Sequence, residues 1–291
     1  MIIGVLGPKG TYSEKAAEQW IEKTGRKGEA VLEYCADIQD VFSLLEKDGC
    51  DIGVVPLENS IEGSVGITLD RLMENDVQII GETIVTVEHC LLSRGKKEDI
   101  KVILSHPQGL GQCRQFLKEQ FPAAELRTTG STSHAAKLAT EFEEMAAIAS
   151  PETADMYDLN IVMSNIQDRR YNHTRFISIT KKDTAQKFTK QLQGNDPECS
   201  YKTSIIVYLD RDRPGALYNI LGEFANSNIN LTRIESRPSK KVLGDYVFYI
   251  DFKGNISDAI IKDALYNIEP KVGMLKMLGS YSEFDSYCES N

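Results

Sequence analysis

The run from Asn165 to Phe176, NIQDRRYNHTRF, gathers amide, hydroxyl, imidazole and guanidinium groups into twelve residues and leads into an apolar stretch, FISI. An extended chain turns successive side chains to opposite sides, so the adjacent Thr174 and Arg175 serve different tasks. Thr174 presents a hydroxyl, and Arg175 either grips a carboxylate or braces the site. Arg169 and Arg170 read as a solvated pair. Other chemistries lack their spacing. The four histidines (89, 106, 134 and 173) contain no H-E-x-x-H pattern, so no metal is expected. No G-x-S-x-G elbow is present, which argues against a hydrolase triad. His106, beside Pro107, reads as ordering a loop.

A second kind of chemistry lies in the starts of helices. IIGVLGPKGTYSEKAA, near the amino terminus, runs from an apolar strand through Gly7 and Gly10 to Thr11 and Ser13. Its glycines follow G-x-x-G-x-x-G, not the dinucleotide G-x-G-x-x-G, and no Lys-Ser/Thr follows Gly10 as a P-loop requires. What remains is a helix start whose outward amides bind anions. Thr11 and Glu14 equally form a T-x-x-E capping box, which by itself only begins a helix. The same grammar recurs at Val55 (Pro56 to Ser60, then Gly63-Ser64), Leu104 (Ser105 to Gln108), Gly130 (Ser131 to Ser133) and Ala149 (Ser150-Pro151). Singly, these are ordinary caps. In an open α/β sheet, however, the strand carboxyl ends share one edge, and several helix N-termini there suit a substrate with carboxylates.

Positions 1 to about 180 alternate short apolar strands with helical stretches. Strands are expected at 2–6, 52–55, 79–87, 102–104, 146–149 and 176–179. Helices are expected near 12–24, 38–48, 65–75, 109–120, 132–142 and 152–158. The alternation predicts an α/β fold with a mostly parallel sheet. Residues 183–201 are polar, with Gly194 and Pro197, and mark the expected linker. From 202 to 282 the order becomes βαββαβ, a ferredoxin-like α+β arrangement, followed by a tail at 283–291. Neither RNP aromatics nor clustered cysteines accompany it, so RNA binding and iron–sulfur ligation are not expected.

The chain has 291 residues, with 43 acidic against 33 Lys and Arg side chains and a net charge of −10. Nucleic acid and anionic membrane are therefore unexpected partners, and an anionic substrate needs a local attractive site. The six cysteines show no paired spacing and read as reduced thiols in a cytoplasmic protein. No signal peptide and no membrane span are expected.

In order, the segments GPKGTYSEKAA, VVPLENSIEGSV, SHPQGLGQC, STSHAA, IASPETA and NHTRF make the chain resemble the prephenate dehydratases, across essentially its full length. The second domain resembles their ACT regulatory domain, through PGALY and ESRP. The chain starts at the dehydratase strand, and no fused chorismate mutase is expected. The resemblance implies a catalytic domain at 1–182 of two lobes around a cleft, like a type II periplasmic binding protein, and an ACT domain at 202–282. It implies decarboxylative dehydration of prephenate to phenylpyruvate without a cofactor, with arogenate dehydration as the alternative. Thr174 inherits the catalytic role, with Arg175 beside it. The substrate-binding residues expected are Gly10, Thr11, Ser13, Asn59, Ser60, Gly63, Ser131, Ser133, Asn172 and Phe176, with the strongest cationic grip at the pyruvyl end. L-Phenylalanine is the implied effector, held at Gly215, Ala216, Leu217, Asn230, Glu235, Ser236, Arg237 and Pro238. A homodimer or homotetramer is implied as well.

Overall fold

The computed structural model describes residues 1–192, 200–209, 214–240 and 245–283. The first part of the chain runs β1 (Ile2–Leu6), α1 (Tyr12–Lys23), β2 (Val31–Cys35), α2 (Ile38–Glu46), β3 (Ile52–Asn59), β4 (Gly63–Ser64), α3 (Gly66–Glu74) and β5 (Val77–Thr86). It then builds a second sheet from β6 (Cys90–Ser93), β7 (Val102–Ser105), α4 (Pro107–Gln112), α5 (Arg114–Gln120), β8 (Glu125–Thr128), α6 (Thr132–Ala139), β9 (Met145–Ala149), α7 (Pro151–Tyr157) and β10 (Asn160–Met163). β11 (His173–Lys181) returns to the first sheet, whose order is β2-β1-β3-β11-β5. The second is ordered β10-β6-β9-β7-β8. Two lobes, crossed by the chain once outward and once back, are the result.

The expectation of mostly parallel pairing holds for β2-β1-β3 and β9-β7-β8, where helices carry the crossovers. It fails at β6, which runs antiparallel to both β9 and β10. β6 and β10 carry the chain into and out of the second lobe. Apolar strand faces and helix stripes account for the interior. Ile3, Val5, Ile52 and Val54 are fully buried, and so is Trp20 from α1. Five strands, β2, β4, β6, β8 and β10, were not expected from the sequence. Of these β2, β8 and β10 are edge strands, and every residue of β8 is exposed, so no apolar alternation betrays it.

The chain packs as two compact units: 1–69 with 83–176, and 70–82 with the described residues from 177 on. In the second unit, the expected linker begins as a helix, α8 (Lys182–Leu192), while 193–199 lie outside the described residues. Then come β12 (Tyr201–Tyr208), α9 (Ala216–Asn226), β13 (Leu231–Pro238), β14 (Tyr246–Lys253), α10 (Ala259–Ile268) and β15 (Met274–Ser282). Their order is β13-β14-β12-β15, antiparallel throughout, the ferredoxin-like sheet expected. Ile205, Val207, Phe224, Ile250, Phe252 and Ile261 form its core.

Residues 70–82 are tied to this sheet. Lys276 Nζ donates to the carbonyls of Leu72 (3.0 Å), Met73 (3.1 Å) and Asn75 (2.6 Å), capping the end of α3. Burial lowers the Lys276 pKa. Lys202 and Glu82 pair at 2.6 Å with little exposure. Gly279 lies at φ +147°, and a Cβ there would come within 2.1 Å of the Ile79 carbonyl oxygen, so this approach requires glycine. Cys35, Cys50, Cys90 and Cys113 are free thiols, whereas Cys199, Cys288 and the tail beyond 283 lie outside the described residues. Among the described residues no helix is long and apolar enough to cross a membrane.

Candidate active site

A pocket of about 550 Å³ lies within the first unit. Four helix starts face it: Thr11, Tyr12 and Ser13 of α1; Gly63, Ser64 and Val65 ahead of α3; His106, Gln108 and Gly109 at α4; and Gly130, Ser131 and Thr132 at α6. The caps are real. Thr11 Oγ1 accepts from Glu14 N–H (3.4 Å) and donates to the Leu6 carbonyl (3.0 Å). Ser131 Oγ accepts from His134 N–H at 3.0 Å, and His106 Nδ1 from Gln108 N–H at 3.3 Å. Capping therefore does not exclude anion binding: the side chain serves the helix, and it uses only part of the first-turn amides. No Lys or Arg is among the described lining residues, and Glu62 is the one acidic side chain there. No cluster of three or more His, Cys, Asp or Glu side chains among the described residues could hold a metal.

Thr174 and Phe176 line the wall, and Arg175 does not. Strand alternation turns Arg175 to the opposite face of β11, so the cationic grip expected from it is absent from this wall. Asn59 Nδ2 donates to Thr174 Oγ1 at 2.9 Å and to Asn172 Oδ1 at 2.8 Å. Its Oδ1 accepts from Ile61 N–H (2.9 Å) and Glu62 N–H (3.1 Å). The Asn59 amide is thereby oriented, and Thr174, accepting from it, keeps its own proton for a ligand.

Of the other residues expected to bind substrate, Thr11, Ser13, Asn59, Gly63 and Ser131 are in the wall; Gly10, Ser60, Ser133 and Asn172 stand behind it. Ser133 Oγ donates to the Lys9 carbonyl at 2.7 Å. Glu14, in turn, accepts from the Gly10 N–H and from Tyr34 Oη (2.6 Å). Together they hold the GPKG loop. Gly10 has φ +83°, and an added Cβ would press on Met156 and Ser133. Ser60 Oγ accepts from His173 N–H at 2.9 Å and pins the turn after β3 to the start of β11. Asn172 is fully buried and joins Asn59 to Gln112.

Sequence reasoning missed Gln112, Gln108, His89 and Glu62. The glutamines did carry a signal, since positions four apart share a helix face. His89 followed an apolar strand and gave none. Its ring is buried, which lowers its pKa despite the bond to Gln112.

In the second unit Gly215 adopts φ +83° at the start of α9. Alternation along β13 divides the ESRP set: Glu235 and Arg237 face the half-buried side, Ser236 and Pro238 the exposed one. Arg237 (3.1 Å) and Lys240 (2.7 Å) both hold Asp70.

The fold and site thus define a two-lobed α/β unit with helix starts around its pocket, followed by a ferredoxin-like domain. Residues 3–184 match the model of the prephenate dehydratase family, and residues 203–270 that of the ACT domain. The prephenate dehydratase of Methanocaldococcus jannaschii is 43% identical over 281 residues, 96% of this chain and 97% of that protein. A chloroplastic arogenate dehydratase/prephenate dehydratase of Arabidopsis thaliana is 37% identical, covering 96% of this chain and 72% of its own. The crystal structure of prephenate dehydratase from Arthrobacter aurescens in complex with L-Phe matches with a TM-score of 0.82 and 32% identity, over 97% of this chain and 90% of that one. The chain belongs to the prephenate dehydratase family.

Proposed function

We propose that this pocket converts prephenate to phenylpyruvate, with loss of water and carbon dioxide, and that Thr174 is its catalytic residue. The observation that carries the reading is the Thr174 hydroxyl, whose oxygen is occupied by Asn59 at 2.9 Å, on a pocket ringed by four helix starts. Prephenate has a ring carboxylate, a pyruvyl carboxylate and a ring hydroxyl. The bond from ring to carboxylate breaks, its electrons enter the ring, and the opposite carbon–oxygen bond breaks as the ring becomes aromatic. One proton is consumed as the departing hydroxide becomes water. A threonine hydroxyl is a weak acid, so Thr174 acts chiefly by holding a preoriented hydrogen bond to the leaving oxygen as charge develops there.

Each helix N-terminus carries about half an elementary positive charge, and several of them attract the pyruvyl carboxylate without a cation. The ring carboxylate must lose its charge as carbon dioxide, and a tight clamp on it would oppose reaction. The apolar wall of Val65, Val87 and Phe176 suits that end. Arg175 braces β11 from its other face. Arogenate, with an ammonium in place of the keto oxygen, is less favoured beside these positive helix ends, and rates on the two substrates compare them directly.

L-Phenylalanine acts as a regulatory effector at the ACT domain. The split of Glu235 and Arg237 from Ser236 and Pro238 is consistent with a site completed by a second copy, hence a homodimer or homotetramer, in the cytoplasm. A stopped assay for phenylpyruvate from prephenate, with and without phenylalanine, tests chemistry and regulation together. No phenylpyruvate would reject the reading.

A further inference from the structure

Three side-chain amides and one imidazole form a chain of hydrogen bonds along the pocket wall, and the backbone sets its direction. Asn59 Oδ1 receives the N–H groups of Ile61 and Glu62, which can only donate. Asn59 Nδ2 therefore faces Asn172 Oδ1 at 2.8 Å, which leaves Asn172 Nδ2 to donate to Gln112 Oε1 at 2.9 Å. The same Gln112 oxygen lies 2.7 Å from His89 Nε2. An amide oxygen only accepts, so the His89 ring carries its proton on Nε2. With both lone pairs of Oε1 taken, the Gln112 amino group turns toward Glu62 (3.2 Å), with its second proton left for the pocket it lines.

The other ring nitrogen makes this arrangement costly. His89 is 3% exposed, and its Nδ1 is buried with no hydrogen-bond partner among the described residues. Native interiors rarely tolerate such an atom, and one beside a functional pocket calls for a reason. We propose that His89 is a positioning residue for the dehydration: as a neutral Nε2–H donor it locks the amide of Gln112, and through Asn172 and Asn59 the hydroxyl of Thr174, in the orientation that donates into the pocket. The inference rests on the prephenate reading and deepens it. Flipping Gln112 would set its amino group against that of Asn172, so an error at one link is passed to the next. The competing role is that of a spacer, packed edge-to-face on Tyr12 with ring centroids 6.3 Å apart.

Substitutions of equal bulk and opposite hydrogen bonding separate the two roles. His89→Leu is expected to lower kcat about tenfold to a hundredfold while KM stays near that of the parent. His89→Gln places an amide donor where the ring Nε2 stood and is expected to recover most of the loss. His89→Glu, of matching size but an acceptor when ionised, is not. Equal kcat in the Leu, Gln and Glu variants, or a Leu variant as fast as the parent, overturns the proposal. The parent protein provides a readout independent of turnover and of variant folding. Nitrogen-15 chemical shifts of the histidine rings at neutral pH are expected to show His89 as the Nε2–H tautomer, and the Nδ1–H tautomer or an imidazolium would overturn the proposal. Absence of phenylpyruvate from the parent would instead reject the functional reading, with the tautomer still deciding the direction of the chain.

Discussion

The pocket presents helix starts and amides, with no Lys or Arg in the described wall, whereas the second unit holds residues 70–82 to its sheet with full charges. Lys202 sits between Glu82 at 2.6 Å and Glu283 at 3.4 Å, Asp70 receives Arg237 and Lys240, and Lys276 caps three carbonyls. The difference follows from what each place must do. A catalytic pocket has to release its product and must let one carboxylate become neutral, so distributed dipoles serve better than a fixed ion pair. A structural contact has no turnover to permit, and a buried pair, once formed, is expensive to break.

The comparison can be broken at the second unit first. Lys202→Met leaves Glu82 and Glu283 buried without their cation, and is expected to lower unfolding free energy by about 3–5 kcal/mol, read by urea denaturation. A loss below the error of the measurement would remove the contrast. In the pocket, Ser64→Asp places a carboxylate at a helix start that should receive the substrate's own. KM is expected to rise about tenfold to a hundredfold with kcat less affected. An unchanged KM would mean that the substrate does not lie against α3. The smallest effect concerns Asp70. Burial alone would raise its pKa, but the hydrogen bonds from Lys240 and Arg237 outweigh it and hold the carboxyl below its ordinary range. A folded pKa below the unfolded one contributes stability that is present above about pH 4 and fades as pH falls through the folded value. Asp70→Asn should therefore flatten the acid limb of the stability curve by about 1 kcal/mol or less. An unaltered acid limb would make the pair ornamental.

The regions also differ in how legible they were in the sequence. The βαββαβ domain could be read element by element, because each strand and helix has one face on the core formed by residues such as Ile205, Phe224 and Ile250. Of the five strands the sequence did not reveal in the first unit, β2, β8 and β10 end their sheets and β4 is only two residues long; β8 is wholly exposed and carries no periodic signal. Helix starts around the pocket were visible because hydroxyls and glycines precede them, and Thr174 because it stands in a recognisable motif. Arg175 was read as gripping a carboxylate or bracing the site, and the alternation of β11 places it off the pocket wall. His89, Gln112 and Asn172 were missed or misplaced for a different reason. Their bonds span 23 and 60 positions, so their meaning exists only once the lobes are folded. Gly10 and Ser133 were assigned to the substrate, yet they hold the loop that presents the neighbouring amides.

The central claim is that Thr174, oriented by Asn59, donates to the departing hydroxyl, while helix starts hold the substrate. Steady-state kinetics of Thr174→Val, which keeps the shape of the side chain and removes the hydroxyl, tests it most directly. The account predicts a fall in kcat of about a hundredfold to a thousandfold with KM little changed, as for removal of one preorganised donor to a developing oxyanion. Near-normal kcat, or a loss confined to KM, would contradict it.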